Sequence, residues 1–202
     1  LSCVMENASS HDWAMMLSCT LHEGRRKMGK RSDFEREKLD FYPTPMAAVN
    51  PLIHFLMPGD TFCEPCAGAG DLVRHLEAAG LRCVSAFDVE PRHDSIRRHD
   101  ASFITKEDLN GADYIITNPP WDRPPLHQII ERCSSIADTW LLFDADWMHT
   151  RQASPYLSYC WQIVSVGRVK WIEGSDGAGK DNCCWYLFRQ ERCPVGTTFH
   201  GR

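Results

Sequence analysis

The sequence predicts a doubly wound α/β fold, a mostly parallel sheet flanked by helices with an antiparallel hairpin at its edge. Three observations carry this expectation. From about Asp40 onward, apolar runs of strand length alternate with segments whose apolar residues recur at helical spacing, as repeated strand and helix units require. Strand-like runs stop abruptly on residues that break regular structure, notably Asn118-Pro119-Pro120. The last third holds two strand-like runs, residues 163–169 and 184–188, separated by the glycine-rich stretch 174–179, which suits an antiparallel pair.

In chain order, Thr44 followed by Pro45 gives an N-cap and first-turn signal, since proline has no N–H to leave unsatisfied there. Ala47, Ala48, Leu52, Ile53, Phe55 and Leu56 then supply a helical apolar face despite Pro51. Residues 60–63 read as a short strand, and residues 71–79 as a helix closed by Gly80. Residues 82–87 form a second strand. Residues 113–117, with Tyr114, Ile115 and Ile116, make a buried strand, because contiguous apolar residues suit a strand covered on both faces. A helix over 126–137 and a strand over 140–143 precede the closing pair.

A chain of 202 residues, 43% hydrophobic and 24% charged, suits one globular domain with an N-terminal arm. We place residues 1–39 in an arm or linker without an assigned role and residues 40–202 in the folded domain. From Gly24 to Lys38, Arg25, Arg26, Lys27, Lys30, Arg31, Arg36 and Lys38 outnumber Asp33, Glu35 and Glu37. Such a stretch reads as a solvated linker before it reads as a phosphate-binding arm. The formal net charge of −5 argues against a nonspecific coat on nucleic acid. No apolar run is long enough for a membrane span, and the N-terminus lacks the order of a secretory signal, which predicts a cytoplasmic protein without membrane contact. The ten cysteines lie largely inside apolar segments and read as buried thiols.

Doubly wound sheets bind ligands beyond the carboxyl ends of their strands, so the residues following each strand are the candidates. After the first comes Glu64-Pro65-Cys66-Ala67-Gly68-Ala69-Gly70, where Gly68 and Gly70 let the backbone pass close to a ligand and turn into the next helix. Asp88, twenty residues beyond Gly68, ends the second strand, where a carboxylate can accept both hydrogen bonds of a ribose diol. Together they point to a cofactor containing adenosine. Val73 stands where a dinucleotide fingerprint has its third glycine, which places NAD and FAD second. After the buried strand, Asn118-Pro119-Pro120-Trp121 offers a side-chain carbonyl, backbone carbonyls without competing N–H donors, and a flat aromatic face. These groups suit a planar amine, whose lone pair is returned to nitrogen when acceptors grip its hydrogens.

In order, Tyr42-Pro43-Thr44-Pro45, the Glu64–Gly70 segment, Asp88, Asp108-Leu109 and Asn118-Pro119-Pro120-Trp121 resemble the motifs of S-adenosylmethionine-dependent N6-adenine methyltransferases, particularly small phage-type DNA enzymes. The resemblance covers roughly residues 40–189. It implies a Rossmann-like methyltransferase sheet with S-adenosylmethionine as cofactor, contacted by Tyr42, Thr44, Pro45, Glu64, Pro65, Cys66, Gly68 and Gly70 around its methionine part. Asp88 would hold the ribose, and Asp108 and Leu109 would meet the cofactor adenine. Asn118 and the Pro119 carbonyl would grip the target amine beside Pro120, with Trp121 stacking on the target base. The implied substrate is adenine in DNA, methylated by direct in-line displacement. The same tetrapeptide would serve adenine in RNA or a glutamine amide in protein, and a silent adenosine-binding module is the alternative outside enzymes. The short stretch after Trp121 predicts that sequence specificity is short or drawn from a partner protein or a second copy.

Other residues receive plainer readings. Cys63-x-x-Cys66 has metal-like spacing, but no second pair follows at zinc-ribbon distance, so no metal is expected. His54 and His75 are given no chemistry. Asp144 and Asp146 follow a strand and are even candidates for substrate contact or solvation, while Trp147 and Trp185 read as packing before they read as pocket walls.

Overall fold

The computed structural model describes residues 42–172, 179 and 181–202. The expected N-terminal arm and most of the stretch 174–179 lie outside the described residues. The elements in chain order are α1 (Met46–Ile53), β1 (Thr61–Glu64), α2 (Asp71–Ala78), β2 (Arg82–Asp88), β3 (Arg97–Arg98) and β4 (Tyr114–Thr117). They continue with α3 (Arg123–Ser134), β5 (Asp138–Asp144), α4 (Ser154–Leu157), β6 (Cys160–Arg168), β7 (Asn182–Phe188) and β8 (Thr198–His200).

The strands form one sheet in the order β3-β2-β1-β4-β5-β7-β6-β8. β1 pairs in parallel with both β2 and β4, and β5 continues the parallel part beside β4. The chain thus winds outward from β1 to β3 and then crosses back to β4 on the other side of β1. That reversal opens a crevice at the carboxyl ends of β1 and β4, where a doubly wound sheet receives its ligand.

β7 runs antiparallel to both β5 and β6. The expected hairpin is present but is not the edge of the sheet, because β8 pairs in parallel with β6 and lies outside it. With only Thr198, Phe199 and His200, β8 is too short to signal itself by alternation. The β6–β7 register shifts between Ser165 and Gly167. Gly167 has φ +81°, so the bulge needs glycine for its conformation, while the nearby Arg202 guanidinium is the end of a flexible, exposed side chain that can move aside.

Side chains alternate cleanly across the central strands. Trp140 and Leu142 of β5, with Trp185 and Leu187 of β7, join Ala48, Val49 and Leu52 of α1 and Leu72 and Leu76 of α2 in one core. The intervening residues build an aromatic stack on the other face, where Phe143 lies 4.1 Å from Tyr186 and Trp147 meets Phe143 edge-on at 5.1 Å. Burial of these large side chains is the main stabilising term of such a layer. Trp147 and Trp185 are both fully buried, and the Trp185 indole donates to the Ala48 carbonyl at 2.8 Å. They are packing residues.

Several boundaries shift for local reasons. Pro45, not Thr44, occupies the N-cap of α1, and the Thr44 side chain is used elsewhere. α1 ends at Ile53, two residues past Pro51, which removes an intrahelical donor. α3 begins at Arg123, three residues before its expected start, with prolines in its first turn, where they cost no hydrogen bond.

Candidate active site

A cavity of about 510 Å³ opens at the crevice beside β1, β2 and β4. Of the residues the sequence singles out, Tyr42, Thr44, Glu64, Pro65, Cys66, Gly68, Asp88, Asn118 and Pro120 line it. Segments far apart in the chain therefore converge on one space.

The floor is built by the turn after β1. Gly68 has φ +54° and Gly70 φ +81°, conformations that a Cβ disfavours. Gly70 is the N-cap of α2 and sits behind the turn, its N–H bonded to the Ala67 carbonyl at 2.6 Å, so it shapes the cavity without lining it. The Gly68 N–H donates to Asp88 Oδ2 at 2.7 Å, and the Glu90 N–H donates to Asp88 Oδ1 at 2.8 Å. A further bond from the Arg92 N–H to the Gly68 carbonyl at 2.9 Å ties the chain after β2 over the glycine turn.

Glu64, the last residue of β1, is 2% exposed, and its Oε2 has no hydrogen-bond partner among the described residues. Desolvation, with Asp88 adding negative charge nearby, raises its carboxyl well above the usual carboxylate range. A buried polar atom left unpaired at a cavity wall fits a ligand that brings the missing partner. Desolvation likewise raises the Cys66 thiol well above its ordinary range, so it is a neutral thiol and a poor nucleophile. Among the described residues, the lining carries the acids Asp71, Asp88, Glu90, Asp100 and Asp122, beside the raised Glu64, against the base Arg92. Such a wall favours a cationic ligand.

Asp108 and Leu109 do not line this cavity, contrary to the sequence expectation, whereas Asp100, Ala101 and Ser102 do. The Asp108 carboxylate instead accepts the Thr105 N–H and hydroxyl, each at 2.9 Å, and lies 3.4 Å from His99 Nε2. The Thr105 bonds, with His99 adding to them, hold it below the ordinary carboxylate range. Leu109 is buried. Strand β3 explains the difference. It is two arginines long and carries no apolar signal, yet its carboxyl end delivers Asp100 to the rim, where Oδ1 accepts the Ser102 N–H at 2.8 Å and starts a turn of 3₁₀ helix. An aspartate placed as an N-cap was the available clue.

At the end of β4, Asn118 faces the cavity with both ends of its amide engaged. Its Nδ2 donates to Thr44 Oγ1 at 3.2 Å, and its Oδ1 accepts the Trp121 indole N–H at 3.1 Å. Pro119 is buried and, like Pro45 and Trp121, stands off the lining. Trp121 meets Trp171 edge-on at 5.6 Å. Deeper behind α3, Arg123 pairs with Asp144 at 3.1 Å, and Asp144 Oδ1 caps the following turn through the Asp146 N–H at 2.9 Å. Asp144 is thus committed to its protein partners. No cluster of metal-ligating side chains occurs among the described residues, and none of their helices is long and apolar enough to cross a membrane.

No protein-family profile and no curated protein matches the chain. Solved structures do. A candidate RNA methyltransferase from Pyrococcus horikoshii superposes with a TM-score of 0.52 at 17% identity, over 79% of this chain and 93% of that one. A candidate hemolysin from Lactococcus lactis gives 0.51 at 11% identity, over 74% and 90%. The M protein of the type I restriction enzyme EcoKI gives 0.47 at 14% identity, over 72% of this chain and 43% of that one. The fold is Rossmann-like, a mostly parallel sheet with an antiparallel part, and it is shared with the methyltransferase structure from Pyrococcus horikoshii.

Proposed function

We propose that the protein binds S-adenosylmethionine in this cavity and methylates the exocyclic N6 amine of adenine in DNA. The observation that carries the reading is the convergence of Asn118 with Gly68 and Asp88 on one cavity. An amine-gripping amide and an adenosine-binding carboxylate then share a single space.

The residues present fit the cofactor. Bound S-adenosylmethionine would supply a methyl group activated on a sulfonium, and an acidic lining on which Glu64 Oε2 has no partner among the described residues suits that positive charge. Asp88 keeps lone pairs for a ribose diol beyond the two backbone bonds it accepts. Asn118 Oδ1 and the Pro119 carbonyl would accept the two hydrogens of the target amine. These acceptors bind the developing positive nitrogen more tightly than the neutral amine, which is where catalysis lies. The target nitrogen would take the methyl carbon while the cofactor leaves as the neutral thioether, and the methylated nitrogen would shed its proton to water, because an aryl ammonium is acidic. No strong side-chain base is required. A base taken from a duplex costs a few kcal/mol to unstack, and the Trp121 ring would return part of it.

Mass spectrometry of DNA, RNA and protein digests from cells expressing the wild type or Asn118→Ala tests the reading. N6-methyladenine in DNA that disappears with the variant is the expected result. Methyladenine confined to RNA, or methylated glutamine, would move the substrate. Cofactor binding without transfer to any of the three would leave a silent adenosine-binding module.

A further inference from the structure

We propose that Thr44 and Trp121 are positioning residues that lock the amide of Asn118 in one orientation. The inference rests on reading Asn118 as the amine acceptor and adds the device that keeps its oxygen available. An asparagine amide left alone turns freely about its last torsion, since the two orientations are nearly equal in shape. Half of its population would then offer NH₂ to a substrate NH₂, a repulsive pairing.

The two bonds on Asn118 remove that freedom. Indole nitrogen can only donate, so the atom 3.1 Å from Trp121 Nε1 has to be the oxygen. The nitrogen then falls on Thr44 Oγ1 at 3.2 Å, a hydroxyl able to accept. Each partner is itself fixed. Thr44 is 5% exposed and directly precedes the Pro45 N-cap of α1. Trp121 packs on the main core together with Trp171, whose ring stands at 87° to its own. The oxygen spends one lone pair on the indole and retains the other for the target amine, already directed before substrate arrives. Phenylalanine or tyrosine at position 121 would keep an aromatic face and lose the N–H, so the tryptophan has a duty separate from stacking.

Two measurements on the full chain separate the lock from general structure. In protein labelled with ¹⁵N at the indoles, the Trp121 N–H should exchange slowly, and Asn118→Ala should speed its exchange at least tenfold. Single-turnover methyl transfer to an adenine oligonucleotide, at saturating cofactor, should fall about tenfold in Trp121→Phe while oligonucleotide affinity stays within about threefold. Thr44→Val should lose rate similarly, and Thr44→Ser should recover most of it. Trp121→Phe turning over at the wild-type rate, or indole exchange indifferent to Asn118→Ala, would overturn the lock. A wild-type protein that methylates no amine would overturn the amine reading, and the exchange measurement would still decide whether the amide is locked.

Discussion

Asp88 and Gly68 are joined by a 2.7 Å hydrogen bond from the glycine N–H to the carboxylate, while the other carboxylate oxygen takes the Glu90 N–H. The residue proposed to hold a ribose therefore also holds the cavity wall together. Asp88→Ala should weaken S-adenosylmethionine binding by about 1.5–3 kcal/mol, the scale of hydrogen bonds to a charged group. It should also lower the melting temperature of the empty protein, because two backbone donors lose their acceptor. Asp88→Asn, which keeps one acceptor oxygen, should fall between. Calorimetric titration and thermal unfolding of the three proteins check this, and unchanged affinity would remove Asp88 from the cofactor site.

Asp100 and Asp108 separate by experiment as they do in space. Asp100 lines the cavity, and Asp108 is turned toward Thr105 and His99. Asp100→Ala should weaken cofactor binding about tenfold, roughly 1.4 kcal/mol. Asp108→Ala should leave affinity nearly unchanged and lower stability instead. The reverse order of affinities would favour Asp108 over Asp100 as a cofactor contact.

The sheet was legible wherever a strand is long enough to show its burial. β4 and β5 carry unbroken apolar runs, and the turns at Gly68 and Asn118 mark where β1 and β4 open onto the crevice. β3 and β8 were not legible, since Arg97-Arg98 and Thr198–His200 owe their strand conformation to neighbouring strands rather than to their own side chains. Because β3 carries no apolar signal, nothing in the sequence pointed to Asp100 at the rim, and Asp108 was singled out by the motif resemblance alone. The partners of Asn118 were equally hidden. Thr44 lies 74 residues away, and spacing along the chain carries no sign of a contact at that range.

His127 should make the protein sensitive to mild acid. Its Nε2 accepts the Trp147 indole N–H at 3.1 Å, and burial, with Arg123 adding positive charge, lowers the imidazole to about 4 from an ordinary 6.5. The folded state thus disfavours the protonated ring, while the unfolded chain takes up a proton below about 6.5. Stability is fully present above that value and is lost as pH falls toward 4. Chemical denaturation across this window should show the decline in the wild type and a flatter course in His127→Gln. Identical slopes for the two proteins would clear His127 of the effect.

Glu64 reverses that sign. Its carboxyl is raised by desolvation and by Asp88, so the empty folded protein keeps a proton that the unfolded chain gives up once pH passes the ordinary 4.5. Wild-type stability should therefore fall relative to Glu64→Gln as pH rises above the usual carboxylate range, because glutamine imitates the protonated acid and does not titrate. A cation placed against the carboxyl reverses the preference and favours ionised Glu64, so S-adenosylmethionine binding should release a proton. Calorimetry at fixed pH values stepped upward from the usual carboxylate range, in two buffers of different ionisation enthalpy, reads this directly as a difference in apparent binding heat. Glu64→Gln should abolish the difference and weaken binding of the sulfonium cofactor more than binding of its uncharged thioether product. Equal losses for the two ligands would show that Glu64 shapes the cavity without sensing the charge of what fills it.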